Sequence, residues 1–298
     1  MNEELEQYVP RVHFEKIPIK NLVSNQEYQR NISMRHVRKA AANFDPHQIN
    51  PVKVSRRNNI NYVFNGQHTI EIVAAVSGSR ETPVWCMVYD ELEYKEEADI
   101  FANQQKYVKE LSPYEIFKAN LEADNTEQVT INALVNSYNL EIASTRKPGC
   151  ICAIRTLEEI YEKSGYEVLD RVLRLIIGTW EGDPLSFSSG LLKGVWKLID
   201  AYGSSLKDEV FVEKLGRLPV RSIIREARDL HRGTMGFAEA LLDQYNKKMK
   251  PGLSYEVLYT SQRSRNRMYA DDLDNQPLDE NVVRQESLFG GDEPPAGK

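Results

Sequence analysis

The hydrophobic periodicity of this chain changes near residue 91, and that switch limits the fold more than any other feature. Before it, two-residue alternation mixes with short helical stretches; after it, only the helical period recurs. Residues 12–23, VHFEKIPIKNLV, predict a strand that ends in a turn at SNQ. Ser33 is placed to cap a helix from Met34 to Phe44, with Val37, Ala40, Ala41 and Phe44 at helical spacing and Pro46 closing it. Alternating Val52 and Val54, a turn at Arg57-Asn58-Asn59 and the run NYVFN predict a hairpin that Gly66 ends. A short helix over Ile70–Val76 follows. Residues 82–90, TPVWCMVYD, then predict another strand, with Val84, Cys86 and Val88 on one face. Strand and helix mixed at this density define a small α+β domain.

Beyond Glu91 the spacing predicts helices at 96–105, 113–123, 129–139, 151–163, 168–177, 191–202, 220–231 and 237–248. Leu191, Leu192, Val195, Trp196, Leu198, Ile199 and Tyr202 form a stripe broad enough for a packed core helix. The expected organisation is an α+β domain at 12–95, a mostly α-helical domain at 96–250, a basic segment at 251–270 and a disordered acidic tail at 271–298.

Charge divides the same way. The 298 residues carry 38 Lys+Arg and 44 Asp+Glu, a formal net charge of −6. Residues 271–298 hold eight acids and two bases, which accounts for all of that imbalance. The body is therefore neutral and carries local basic patches, at Arg30–Arg57, at Arg217–Arg232 and at Gln244–Met268. Each is a nucleic-acid candidate, although charge runs are also the ordinary dress of a solvated face. With 41% hydrophobic residues and a mean hydropathy of −0.52, the chain is not collagen-like, mucin-like or wholly disordered. No apolar run suits a membrane span, so no membrane partner is expected. The start, MNEELEQYVP, reads as neither a secretory signal nor a transit peptide, and Cys86, Cys150 and Cys152 are too few for a disulfide scaffold. A cytoplasmic setting is the default expectation. The Cys150-x-Cys152 spacing and the five scattered histidines form no metal pattern, so inert thiols and no metal site are expected.

From Ile17 to Tyr89 the order of motifs resembles the N-terminal domain of the ParB/sulfiredoxin-like superfamily, including its DGQHR-type branch. The matching pieces are IPIKNLV, then EYQR ending in Arg30, then INPVKVS, then YVFNGQHTIEIVAA. A second block, FANQQKYVKELSPYE with Asn103, Leu111, Pro113 and Glu115, extends the likeness to about residue 123. The central strand-Gly-helix motif is here Asn65-Gly66-Gln67-His68-Thr69. A Gly lets backbone approach a phosphate, and a helix N-terminus supplies N–H donors and partial positive charge. The resemblance implies a nucleotide or phosphate site at Arg30, Gly66, Gln67, His68 and Asn103, with CTP or ATP and Mg²⁺ as the implied cofactors. His68 also has a plainer reading, as a capping or core-satisfying histidine. Two departures bear on chemistry: Thr69 stands where the family has Arg, and Ala102 where it has an acid. Losing the guanidinium removes a bidentate phosphate contact, so no residue is assigned as catalytic.

The same resemblance implies DNA as a partner, and a homodimer as an assembly. Residues 129–142 resemble the opening of a helix-turn-helix, with Arg146 and Lys147 just beyond it, but Pro148-Gly149 leaves no room for a long recognition helix; a plain helical hairpin is the alternative. Arg217, Arg221, Arg225, Arg228 and Arg232 step by 4, 4, 3 and 4, which puts them on one helical face able to follow phosphates or to pair with acids. Arg263, Arg265 and Arg267 add a second basic segment. In the tail, Gln285-Glu286-Ser287-Leu288-Phe289 resembles the peptide that binds the bacterial sliding clamp: Leu288 and Phe289 would anchor and Gln285 would fix register. The combined expectation is a DNA-associated accessory protein of a bacterium, phage or mobile element. A nuclease or nucleotide hydrolase on the same fold, and a protein-only adaptor of replication enzymes, are the other readings.

Overall fold

Five short strands from the first ninety residues pair into one mixed sheet. The computed structural model describes residues 9–24, 31–90, 92–104, 106, 108–230 and 233–260. It divides into two compact units, 1–110 and 111–298. In the first, β1 (Val12–Pro18), β2 (Leu22–Ser24), β3 (Val52–Arg57), β4 (Ile60–Asn65) and β5 (Pro83–Asp90) lie in the order β1-β5-β3-β4-β2. β1/β5 and β3/β4 are antiparallel; β3/β5 and β2/β4 are parallel.

The single strand expected at 12–23 is two strands on opposite edges of this sheet. Pro18 cannot donate a ladder hydrogen bond, and a 3₁₀ turn at Ile19–Asn21 redirects the chain. That turn is pinned by Ile19 N–H donating to Thr82 O at 3.1 Å and Lys20 N–H to Arg80 O at 2.9 Å. The β3–β4 hairpin turns through Asn58 and Asn59, whose φ of 50° and 64° give the twist that a two-residue hairpin needs.

The inward face of the sheet (Ile17, Val52, Val54, Val63, Val84, Cys86, Val88) packs with Ile70 and Val73 of α2 (Gln67–Ser77). The helix α1 (Met34–Ala42) lies beside α2 and begins at Ser33, whose hydroxyl accepts His36 N–H as the sequence leads one to expect. Residues of opposite parity in β3 meet the segment leading into α3 (Tyr94–Asn103) and α3 itself. Ser55 donates to Leu92 O, and Arg57 pairs with the fully buried Glu97 at 2.9 Å. The chain is α+β.

The second unit is helical: α4 (Pro113–Glu122), α5 (Thr126–Ser137), α6 (Ile154–Trp180), α7 (Ser189–Tyr202), α8 (Asp208–Leu215), α9 (Val220–Leu230) and α10 (Thr234–Asn246). α6 is broken at Gly165, where φ is 79° and ψ −179°, so the two helices expected at 151–163 and 168–177 run on through one non-helical residue. β6 (Glu141–Ile142) and β7 (Cys150–Ile151), which the sequence did not announce, pair in parallel. The stripe on α7 is core as expected, and α7 meets α10 closely: a Cβ on Gly194 would come within 2.8 Å of Phe237 Cβ. Arg171 of α6 ties down the segment before α8, donating to Gly203 O, Leu206 O and Asp208. Among the described residues no helix is long and apolar enough to cross a membrane. The expected disordered tail, Arg263, Arg265 and Arg267, and the peptide Gln285, Leu288 and Phe289 all lie outside the described residues.

Candidate phosphate and nucleic-acid sites

The turn from β4 into α2 is set by backbone geometry. Gly66 sits at φ 106°, which side chains disfavour, and a Cβ there would come within 3.2 Å of Val52 Cα. As N-cap it offers no side chain to the first turn of α2. The next residue, Gln67, is only 6% exposed, and its Nε2 has no hydrogen-bond partner. An unpaired buried amide beside a helix start that lacks a side-chain cap is the arrangement that an anion's oxygens satisfy. The donor set therefore fits the phosphate portion of a nucleotide.

The other residues expected at this site divide. His68 Nε2 accepts the backbone N–H of Ser33 at 3.1 Å, and its ring stands edge-on to His36 at 5.3 Å. The imidazole thereby links the starts of α1 and α2. Asn103, the last residue of α3, turns back on its own helix, donating to Asp99 O at 3.1 Å and Asp99 Oδ1 at 2.9 Å. Its neighbour Gln104, which the motif reading passed over, makes the connection instead: Oε1 accepts from Asn65 Nδ2 at 2.7 Å and Lys53 Nζ at 3.5 Å. The run Asn103-Gln104-Gln105 was the available signal, since a one-residue shift rotates a helical side chain by about 100°. Arg30 lies outside the described residues. No cluster of three His, Cys, Asp or Glu suited to a metal occurs among the described residues.

Of the basic cluster 30–57, two members are held in internal ion pairs. Arg56 pairs with Glu15 at 2.6 Å, and that guanidinium holds the Glu15 carboxyl below the usual carboxylate range. Arg57 stacks over Tyr62 at 4.5 Å besides meeting Glu97. Arg35, Arg38 and Lys39 instead stand exposed along α1, with no ion pair among the described residues.

In the second unit the arginine stripe holds for three of its five members. Arg221, Arg225 and Arg228 are exposed on α9, opposite the buried Val220, Ile223 and Ala227, and none has an ion pair among the described residues. Arg217 falls in the turn before the helix and pairs with Glu213; Arg232 lies outside the described residues. The helix-turn-helix resemblance fails in detail. α5 is followed by β6, and Arg146 and Lys147 occupy the exposed loop between β6 and β7 rather than a helix. The Pro148-Gly149 turn, with Gly149 at φ 74°, explains why. Burial pushes the Cys86 thiol up to about 11 and raises that of Cys152 as well.

These features define an α+β chain with a glycine turn and an unpartnered buried amide in its first unit, and with exposed arginines in its second that have no ion pair among the described residues. The chain belongs to the family described as "Family of unknown function (DUF6551)", which it matches over residues 23–252. No curated protein matches it. Among solved structures it is similar to the C-terminally truncated chromosome-partitioning protein ParB from Caulobacter crescentus, complexed with CTP-γ-S. The identity is 12% and the TM-score 0.33, covering 77% of this chain and 98% of that one.

Proposed function

We propose that the protein is a DNA-associated accessory protein of ParB-like type, acting in partition, replication or mobile-element maintenance in a bacterial or phage setting. The observation that carries this reading is the face of α9, where Arg221, Arg225 and Arg228 are exposed and unpaired among the described residues. A helix that buries one side and projects guanidinium groups from the other is suited to a run of backbone phosphates. The turn at Gly66 and Gln67 serves as a nucleotide-phosphate site, with Gln104 and Lys53 beside it. CTP or ATP is the class of ligand, and Thr69 in place of an arginine favours binding over turnover. The segment Gln285–Phe289 acts as a tether to the sliding clamp, and self-association to a homodimer accompanies DNA binding.

Duplex binding followed against salt tests the central claim. Affinity is expected to fall steeply as salt rises, and Arg221→Ala/Arg225→Ala to lower the log–log slope by about 2, near 0.9 for each lost phosphate contact. No duplex binding at low salt, or an unchanged slope in the variant, would refute it. For the tether, Leu288→Ala/Phe289→Ala is expected to abolish capture by immobilised clamp; undiminished capture would remove this peptide from the proposal.

A further inference from the structure

Arg146 and Arg228 stand in different parts of the sequence, yet they line one cleft of the second unit, of about 560 Å³. Among the described residues the cleft holds two guanidinium groups and no carboxylate, and neither arginine has an ion pair. Like charges gathered at one concave surface raise each other's energy unless an anion joins them. A third polar group points to the same ligand. Ser188, the N-cap of the fourteen-residue α7, makes no capping hydrogen bond, and its hydroxyl is buried without a partner. It too lines the cleft. A buried hydroxyl left unpaired is costly, and a phosphate oxygen would satisfy it.

The rest of the lining suits something other than bare phosphate. Leu185, Ile224, Ala227 and Phe237 supply an apolar wall. The Phe237 ring packs closely on Gly190, where a Cβ would fall 2.3 Å from Phe237 Cε2. An aromatic ring in the same cleft as two arginines accommodates a planar or apolar body attached to an anionic head. The volume lies in the range of about 300–1,000 Å³ usual for small-molecule sites.

We infer that this cleft binds a phosphate monoester with a planar or apolar body, of the size of a mononucleotide. Arg146 and Arg228 hold the phosphate oxygens, Ser188 donates to one of them, and the body packs on Phe237. The inference stands on the second unit's cleft; it is independent of the first unit's glycine turn and shares only Arg228 with the α9 face assigned to duplex binding.

The test is calorimetric titration of the full chain with AMP, CMP, GMP and UMP, alongside the four unphosphorylated nucleosides and inorganic phosphate. At least one monophosphate is expected to bind at least tenfold tighter than its nucleoside and at least tenfold tighter than inorganic phosphate. Arg146→Gln/Arg228→Gln is expected to weaken that binding at least tenfold; both side chains are exposed, so an unchanged melting temperature checks the fold. A separate Ser188→Ala variant is expected to weaken it by a smaller factor. Three results would overturn the inference: no monophosphate bound, inorganic phosphate bound as tightly as any monophosphate, or binding unaffected by the double substitution. Loss of duplex affinity alone in the double variant, with no monophosphate bound to the parent, would assign the arginines to DNA backbone and equally overturn it. The duplex test on Arg221 and Arg225 uses neither cleft arginine, so the two ideas fail separately.

Discussion

Gly66 shows how one residue joins fold to site. Its positive φ turns the chain from β4 into α2, and the absence of a Cβ lets the turn lie against Val52. Gly66→Ala imposes both a disfavoured backbone and a 3.2 Å contact with main chain that cannot swing aside. The expected cost is about 1–3 kcal/mol of stability in the first unit. Urea denaturation of parent and variant measures it, and an unchanged midpoint would show that the turn relaxes freely. Gly66 and Gln67 could be picked out from the strand-Gly-helix pattern. Gln104 could not be separated from Asn103 in the same way, because which of two adjacent amides faces β4 depends on how α3 is rotated against the sheet. His68 raised the same difficulty: the sequence left two roles open, and its contact with Ser33 depends on α1 and α2 lying side by side.

Between elements, the contact of α6 with α7 carries an ion cluster that no local pattern displays. Glu159 accepts from Lys163 one turn along α6 at 2.7 Å and from Lys193 of α7 at 2.5 Å. Burial pushes its carboxyl up, but the two ammonium groups outweigh that and hold it below the usual range. A carboxyl lowered in the folded state stabilises the fold above its unfolded pKa, and that contribution is lost as pH falls through the folded value. The window therefore opens below about 4.5. Glu159→Gln is expected to cost about 0.5–1 kcal/mol at pH 7, a figure that allows for its partial exposure, and less at pH 3. Denaturant titrations at the two pH values test this; equal losses at both would assign the effect to packing. The Lys163 partner sits at readable helical spacing, whereas Lys193 joins only when the two helices cross.

At the scale of the whole molecule, the two cores share no residue. One draws on Ile17 through Val88 and the other on Phe117 through Leu258. Fragments 9–110 and 111–260 are each expected to fold when produced alone, the first with mixed and the second with strongly helical circular dichroism, both with cooperative melts. A fragment that melts without cooperativity would mean that its core is completed by the rest of the chain. Most helix and strand positions, though not the short helix α8, together with the hairpin, the α7 core stripe and the exposed face of α9, followed from sequence, because each is written in local periodicity and turn chemistry. The course of residues 12–24 across the sheet did not, nor did the parallel pairings of β3 with β5 and β2 with β4, nor the short β6 and β7. Those depend on partners distant along the chain. The same holds for charge. Sequence located the arginines, but only tertiary structure decided which are spent on internal acids, as Arg56 and Arg57 are, and which stand unpaired. A side chain's partner is fixed by three-dimensional proximity, and nothing in the order of residues records it. For this protein the sequence determined what kinds of element could form and where charge was available. Packing decided which charges meet, and so brought Arg146 and Arg228 to one cleft.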